Sequence, residues 1–315
     1  MKRFLTLFAI WLGIAFFVAM LIDLVISSGL RKTDIRKYAV WNDIYKGSLH
    51  PDLIVIGSSR AWCGYNTYIL DSMLSCDSYN LGIDGHGIEY QILRYDTYCR
   101  YNNPPQVVLI NIDFLSTLGV SADSQYEREQ FFPYIHDKEL ISSVSSTKRI
   151  TWLDEHIPLV RYFGYREDFE EGVMAFFGKT QFLDGGMYKG YRGNEYEWEE
   201  GRVLPIDTLI SASIDKEAAG LLDSFVQRLC NEGVKVVFVK SPVYQPLMEK
   251  FENIQESDSV FASISNRYGI PVLSYYYSNI CFDKSYFYNP SHLNKKGSEY
   301  FTLSLCYDLD SLGVL

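Results

Sequence analysis

Short apolar runs alternate with amphipathic segments along most of this 315-residue chain, and this alternation limits its fold more than any other feature. Apolar runs that end in turn residues predict buried strands, and the segments between them predict helices. The predicted strands are residues 52–56, 78–81, 107–112, 234–239 and 271–273. The predicted helices are residues 88–98, 216–231, 247–268 and 293–309. Elements in this order predict a three-layer, doubly wound α/β domain with a mostly parallel sheet.

The first thirty residues are a different kind of sequence. Residues 4–22 contain no charged side chain. A helix of this length measures about 28 Å and nearly crosses a hydrocarbon core of about 30 Å. Lys2 and Arg3 precede the run, as in a signal sequence or a signal anchor. The run is longer than the apolar part of a usual signal peptide, and only Ser27–Gly29 offers a weak cleavage site. We therefore favour a transmembrane anchor over residues 1–30, with a cleaved signal peptide as the alternative.

The charges that flank this segment leave its orientation open. Four cations follow the span and two precede it, a balance that by itself would keep the rest of the chain in the cytoplasm. Those four are Arg31, Lys32, Arg36 and Lys37. Large domains, however, are translocated largely regardless of such charges. We expect a single-pass protein of the cell membrane whose main domain lies outside the cytoplasm, against the flanking charges.

Charge and cysteine usage exclude several classes of function. The 39 acidic and 29 basic side chains give a net charge of −10, whereas binding to nucleic acid needs a basic surface. The 6 cysteines show neither a C-x-x-C pair nor the spacing of a zinc site, and their disulfide pairing cannot be read from the sequence. A phosphate-binding loop and a dinucleotide fingerprint are both absent from the sequence. We expect no nucleic acid, no metal and no other cofactor.

Residues 114–205 interrupt the strand–helix pattern. Long irregular insertions in compact domains are usually lids or binding loops, and this one is rich in aromatic residues. The whole chain contains 25 Tyr, 19 Phe and 5 Trp, so an aromatic core and an aromatic surface for a carbohydrate both stay open. The predicted organisation is an anchor (1–30), a linker (31–50) and an α/β domain (51–315) with this insertion over its active face.

Three short segments carry candidate chemistry. Ser59 follows the first strand in a Gly-Ser-Ser-Arg turn, where a hydroxyl can stand above the sheet beside amides that bind an oxyanion. Residues 80–85, Asn-Leu-Gly-Ile-Asp-Gly, follow the second strand, and glycines there let backbone amides approach a ligand. His292, in Asn-Pro-Ser-His-Leu-Asn-Lys-Lys-Gly, opens the last helix and can accept a serine proton. Each segment alone is also compatible with ordinary turn chemistry.

Together, these segments resemble the SGNH/GDSL hydrolase superfamily over about residues 51–310. The patterns G-x-S, N-x-G-x-x-G and H-L-N-x-x-G agree in order and spacing. They are more similar to the membrane-anchored branch that works in cell-envelope polysaccharide O-acetylation and teichoic-acid alanylation than to secreted lipases. The resemblance implies a flavodoxin-like fold, with Ser59 as the nucleophile and His292 as the general base. It also implies an oxyanion hole made by the N–H groups of Ser59 and Gly85.

Two positions depart from the family's pattern. The family usually has Asp three residues before the histidine, and this chain has Asn289, whose amide oxygen can orient the imidazole but brings no charge. Asp283 is an alternative partner. The Asn that the family often carries after the third strand has no clear match in residues 111–116. The candidate substrate contacts around the site are Arg60, His86, Asp113 and Tyr288.

Two functions follow from these residues. The first is a membrane-anchored O-acyl esterase or O-acyltransferase that acts on cell-envelope glycans through an acyl ester on Ser59. The second is a catalytically weak or inactive SGNH-fold protein that binds glycan or assists a membrane-bound O-acyltransferase, which Asn289 favours. The expected partners are the membrane, an acylated or acyl-accepting glycan and such an acyltransferase. The acyl group, the acceptor and the oligomeric state cannot be read from the sequence.

Overall fold

A parallel sheet of five strands organises most of the chain in this computed structural model. Its strands are β1 (Leu53–Ile56), β2 (Ser78–Asn80), β3 (Val107–Asn111), β4 (Lys235–Lys240) and β5 (Val272–Ser274). They lie in the order β2–β1–β3–β4–β5, and each neighbouring pair is parallel. β1 and β3 are buried along their whole length, because apolar side chains cover both faces of the sheet there. The predicted doubly wound α/β fold is confirmed.

The structure describes residues 1–114, 116–119, 126–146, 150–179, 187–198, 209–211 and 214–315. Contacts divide the chain into two units. The first unit is Met1–Tyr45 with Asp123–Gly185, and the second is Lys46–Ala122 with Gly186–Leu315. The sheet and the three motif segments belong to the second unit.

The second unit contains helices at the four predicted stretches, and two further helices lie between its first two strands. Its helices are α3 (Ser59–Gly64), α4 (Thr67–Leu74), α5 (Ile88–Tyr101), α9 (Lys216–Asn231), α10 (Gln245–Met248), α11 (Ile254–Tyr268) and α12 (Lys295–Leu312). The predicted helix 247–268 is interrupted, because Asn253 adopts a left-handed conformation with φ 65°. The short strand Phe251–Glu252 precedes that break and pairs in parallel with Ile210–Ser211.

The first unit is helical. Its helices are α1 (Lys2–Leu30), α2 (Arg36–Lys46), α6 (Lys138–Ser146), α7 (Trp152–His156) and α8 (Arg166–Phe176), with 3₁₀ turns at Arg128–Tyr134 and Val160–Tyr162. α1 and α8 cross where two glycines meet, since a Cβ on Gly29 would lie 1.7 Å from the carbonyl oxygen of Gly172. The predicted linker, residues 31–50, contains α2, whose Tyr38 and Trp41 side chains are fully buried.

Helix α1 contains 29 residues, and its most apolar stretch has a mean hydropathy of 2.6 and is not covered by the rest of the chain. By length and composition, it is a helix that could cross a membrane. Its last two turns differ, because Asp23, Ser27 and Leu30 are buried against the remainder of the first unit.

Many aromatic rings of the predicted insertion form the core of the first unit. Phe131, Phe132, Tyr134 and Tyr162 are at most 4% exposed, and the ring of Phe131 packs edge-on against Trp41 at 5.6 Å. For these rings the aromatic core, one of the two interpretations that the sequence left open, is the correct one. The physical reason is that a small helical unit needs bulky side chains to fill its interior.

Candidate active site

The turn that carries Ser59 depends on a glycine. A Cβ on Gly57 would lie 2.6 Å from the Cβ of Ala61, so only glycine lets β1 turn this sharply into α3. Ser58 caps α3, and its hydroxyl accepts the N–H of Arg60 at 3.4 Å. Ser59 is therefore the first residue of α3, at the carboxyl edge of the sheet where sites in such folds lie.

The H-L-N-x-x-G motif fixes the start of α12. Asn294 caps this helix by accepting the N–H of Gly297 at 3.0 Å. A Cβ on Gly297 would lie 2.1 Å from the carbonyl oxygen of Tyr286, so this residue must be glycine for the helix to meet the preceding loop. His292 lies just before the cap, in a short strand that pairs with Phe287–Asn289.

The structure brings the three predicted catalytic side chains into one hydrogen-bonded chain. The hydroxyl of Ser59 lies 2.7 Å from Nε2 of His292, and Nδ1 of His292 lies 2.9 Å from Oδ1 of Asn289. The backbone N–H of Ser291 donates to the same Oδ1 at 3.0 Å, which identifies that atom as the amide oxygen. Nδ1 therefore carries the proton, and the lone pair of Nε2 faces the hydroxyl of Ser59.

Ser291 is a fourth member of this chain that the sequence patterns did not single out. Its hydroxyl lies 2.8 Å from Nδ1 of His292 and 3.1 Å from Oδ1 of Asn289. Oδ1 of Asn289 thus receives the backbone N–H of Ser291, its hydroxyl and the imidazole N–H. Three converging donors favour negative charge on an acceptor. The sequence signal for this contact was the position of Ser291 directly before His292 and two residues after Asn289.

Asp283 does not replace the missing carboxylate. Its side chain is exposed and accepts the N–H of Ser285 at 2.9 Å, and this backbone hydrogen bond lowers the pKa of Asp283. The carboxylate therefore caps the 3₁₀ turn at Lys284–Tyr286.

Residues 80–85 are held against α3 by Asn80. Its amide nitrogen donates to the carbonyl oxygens of Ala61 at 2.9 Å and Tyr65 at 3.2 Å, and its oxygen accepts the N–H of Gly82 at 2.9 Å. A Cβ on Gly82 would lie 2.5 Å from the backbone nitrogen of Trp62. The N-x-G part of the motif is therefore explained by close packing of the loop on α3.

The two predicted oxyanion donors are backbone amides beside this loop. Gly85 has φ 64°, a left-handed conformation that favours glycine. Within the described residues, the N–H groups of Ser59 and Gly85 meet no protein acceptor. Asn111, at the end of β3, is buried and accepts the hydroxyl of Tyr65 at 2.8 Å, so it presents no amide to solvent.

Three of the predicted substrate contacts are buried. Arg60 is 6% exposed, and one of its guanidinium nitrogens donates to the backbone carbonyl of Ser241. His86 is fully buried and hydrogen-bonds to the carbonyl oxygen of Asp84. Each of these side chains therefore binds the protein's own backbone and holds a loop near Ser59.

Of the other two predicted contacts, Asp113 is also buried, whereas Tyr288 is partly exposed. Asp113 is fully buried and accepts the N–H of Ser116 at 2.6 Å and the hydroxyl of Ser58 at 3.3 Å, so it supports the residue that precedes the nucleophile candidate. Tyr288 is half-buried, and its ring stacks on His292 with centroids 5.4 Å apart. Of the four predicted contacts, Tyr288 is the one whose ring stacks on a member of the hydrogen-bonded chain of Ser59, His292 and Asn289.

One stretch of the predicted insertion borders the site. The N–H of Lys295 donates to the carbonyl oxygen of Asn194 at 2.7 Å, and the ring of Trp198 packs edge-on against Tyr244 at 4.9 Å. The N–H of Tyr244 in turn donates to the carbonyl oxygen of Pro290, in the loop that carries His292. Trp198, at the end of this stretch, is therefore one ring away from the loop that carries His292.

Across the described ranges, no group of three or more His, Cys, Asp or Glu side chains could hold a metal ion. All six cysteines lie within those ranges, and each is a free thiol.

Comparison with known proteins gives distant structural likenesses. No family model and no curated protein matches the sequence. Among solved structures, the chain is similar to a proposed acylhydrolase from Bacteroides fragilis, with 12% identity over 84% of this chain and 88% of that one, at a TM-score of 0.38. It is also similar to a proposed platelet activating factor from Streptococcus pneumonia, with 12% identity over 93% and 98%, at a TM-score of 0.42.

Likenesses at this distance carry no functional conclusion. The parallel sheet, with its motif residues at the carboxyl edge, is consistent with the SGNH/GDSL fold that the three motifs imply. Function is therefore argued from the geometry of the site.

Proposed function

We propose that this protein is a membrane-anchored, SGNH-like O-acyl esterase or O-acyltransferase that acts on cell-envelope glycans. One observation carries the proposal: the 2.7 Å contact between the Ser59 hydroxyl and Nε2 of His292, in a ring whose other nitrogen is held by Asn289. A hydroxyl, a base and an orienting group in this arrangement are what activates a serine for acyl transfer.

The reaction proceeds in two halves. Oγ of Ser59 attacks the carbonyl carbon of an acyl ester while its proton passes to Nε2 of His292. The N–H groups of Ser59 and Gly85 stabilise the oxyanion. Collapse breaks the ester bond, the leaving alcohol takes the proton from Nε2, and the acyl group stays on Ser59. A water molecule or a sugar hydroxyl then gives its proton to Nε2 and attacks the acyl carbon, which releases the acid or a new ester and returns the proton to Ser59.

The glycan part of the proposal is supported by the aromatic surface beside the site. Tyr288 stacks on His292, and Trp198 and Tyr244 lie next to the loop that carries it. Aromatic faces combined with a few polar groups are typical of ligand sites. Anchoring is supported by α1, and we propose that the second unit lies outside the cytoplasm, where a glycan and a membrane-bound O-acyltransferase would be its partners.

Labelling with a fluorophosphonate tests the serine directly. We expect the full-length protein in detergent to be labelled, Ser59→Ala to lose the label, and Ser72→Ala, which changes an exposed serine of α4, to keep it. Hydrolysis of p-nitrophenyl acetate should follow the same order. Labelling that persists in Ser59→Ala would refute the assignment of the nucleophile. Acetate release from an acetylated glycan, measured with and without an acceptor sugar, separates the esterase from the transferase.

The neutral Asn289 favours a second candidate function. An Asp-to-Asn change in triad serine proteases lowers kcat by about 10⁴, so a protein with Asn at this position could bind acylated glycan without turning it over. An unlabelled wild-type protein that still binds acetylated glycan more tightly than the deacetylated form would support this accessory role.

A further inference from the structure

We propose that residues 152–163 of the first unit form an interfacial segment that inserts into the headgroup region of the bilayer crossed by α1. The proposal rests on the anchoring part of the proposed function. It adds a second membrane contact, made by a part of the chain about 130 positions away from the anchor in the sequence.

Polar contacts fix the depth of the interfacial segment along α1. Asp23, the first charged residue after the uncharged run, accepts the N–H of Leu159 at 2.8 Å and pairs with the guanidinium of Arg161. One turn further along, the hydroxyls of Ser27 and Tyr162 lie 2.8 Å apart. The segment therefore packs beside the point at which α1 changes from uncharged to polar, which is where a spanning helix leaves the hydrocarbon core.

The segment also extends beside the uncharged part of α1. A groove of about 380 Å³ has Phe16 and Phe17 of α1 on one wall and Pro158 on the other. Phe16 precedes Asp23 by seven residues, which places it about 10 Å deeper along the helix axis. If residues 4–22 lie in the hydrocarbon core, Pro158 lies at the boundary between acyl chains and headgroups.

The side chains that the segment exposes are those of an interfacial surface. Phe163 is 90% exposed and Trp152 is 63% exposed, and Leu153 and Val160 are exposed to 52% and 37%. Leu153, Val160 and Phe163 line a common groove of about 600 Å³, so they form one patch. Clustered apolar side chains on a soluble surface mark a binding face, and exposed Trp and Phe side chains are typical of surfaces that lie in a membrane interface.

The occupant of this patch follows from its continuity with α1. The groove beside Pro158 opens onto the same apolar side chains that a bilayer surrounds, so lipid reaches it without any further partner. A second copy of the chain or another protein would have to displace that lipid. We therefore assign the patch to the phospholipid bilayer, and the other occupants become outcomes of the test.

Tryptophan quenching by brominated lipids measures the depth. The full-length protein is reconstituted in phosphatidylcholine vesicles whose acyl chains are brominated either near the headgroup or near the methyl end. Subtracting the emission of Trp152→Phe from that of the wild type isolates Trp152, and Trp11→Phe isolates Trp11 in the middle of α1. We expect the shallow bromines to quench Trp152 more than the deep ones, and the deep bromines to quench Trp11 more than the shallow ones. In a Trp152→Phe background, Phe163→Trp should show the shallow pattern too.

The outcomes distinguish failure of the interfacial segment from failure of the anchor and from failure of the proposed catalytic function. Quenching of Trp11 without quenching of positions 152 and 163 would keep the anchor and overturn the interfacial segment. An unquenched Trp11 would overturn the anchor itself, and with it the interfacial segment. Shielding of Trp152 that rises with protein density, and not with bromination, would assign the patch to a second copy and overturn the lipid assignment. Fluorophosphonate labelling of Ser59 is independent of all three.

Discussion

Replacing Asn289 by Asp would return a negative charge to the one position where the candidate site lacks it. Proton transfer from Ser59 leaves a positive charge on His292 in the transition state. Among the described residues, Nδ1 of the ring is hydrogen-bonded to neutral oxygens, those of Asn289 and Ser291. Oδ1 of residue 289 already receives three donors, so a carboxylate would occupy a position whose surroundings suit an anion.

The geometry bounds the size of the effect. Unit charges about 4 Å apart attract by about 1 kcal/mol in water and by about 4 kcal/mol at an effective dielectric of 20, which corresponds to rate gains of about 5-fold and about 1,000-fold. Asn289 is half-buried, so we expect Asn289→Asp to react faster than the wild type by a factor between these limits. The acid limb of its pH–rate profile should also move to higher pH, because a carboxylate favours the protonated imidazole.

The rate of Ser59 labelling by a fluorophosphonate, measured as a function of pH, is the assay. Asn289→Ala is the matched control, since it removes the acceptor without adding charge, and it should react more slowly than the wild type. The double variant Ser59→Ala with Asn289→Asp should show no labelling. If Asn289→Asp folds with an unchanged melting temperature and reacts no faster than the wild type, the argument that the missing charge limits the site is refuted.

Four further experiments test other parts of the structure. Ser291→Ala should slow the labelling of Ser59 by about tenfold, which corresponds to roughly one lost hydrogen bond. Ser291→Thr keeps the hydroxyl and should label at the wild-type rate. If Ser291→Ala also labels at the wild-type rate, Ser291 does not position His292. Gly297→Ala should lower the free energy of unfolding by about 1–3 kcal/mol, because its Cβ would meet a carbonyl oxygen at 2.1 Å. Gly220→Ala, in open space on α9, should raise it by about 0.5–1 kcal/mol, and chemical denaturation measures both. Burial raises the pKa of Cys76 and Cys99 to about 11, so their alkylation by iodoacetamide should be slow at pH 8 and quicken towards pH 11, and fast reaction at pH 8 would contradict the burial.

The elements of the sheet could be predicted because their signals are local. The run Leu53–Ile56 is apolar throughout and ends on glycine, and α9 begins and ends at the predicted residues 216 and 231. The three motif segments were predicted to meet because the carboxyl ends of parallel strands share one edge, and Ser59 and His292 are hydrogen-bonded there. The catalytic roles of these residues stay predictions until the serine is labelled.

What could not be predicted depends on contacts between distant parts of the chain. Residues 123–185 belong to the same unit as residues 1–45. No local sequence pattern in either stretch predicts this packing. Burial of polar residues is equally non-local: Asp113 follows a strand like a substrate-binding carboxylate, but two neighbouring serines occupy its oxygens. The contact of Ser291 with His292 could not be predicted either, because it depends on the orientation of the imidazole ring, which the sequence does not contain.

The crossing of α1 and α8 at Gly29 and Gly172 makes the anchor part of a folded unit. Cleavage before Gly29 would remove Asp23 and Ile26, so the guanidinium of Arg161 would lose its carboxylate partner and Gly172 would lose its contact with Ile26. The crossing also cannot form until α8, which ends at Phe176, has been synthesised. Release of this protein by cutting its anchor would therefore be a partial unfolding of the unit and not a clean separation at a linker.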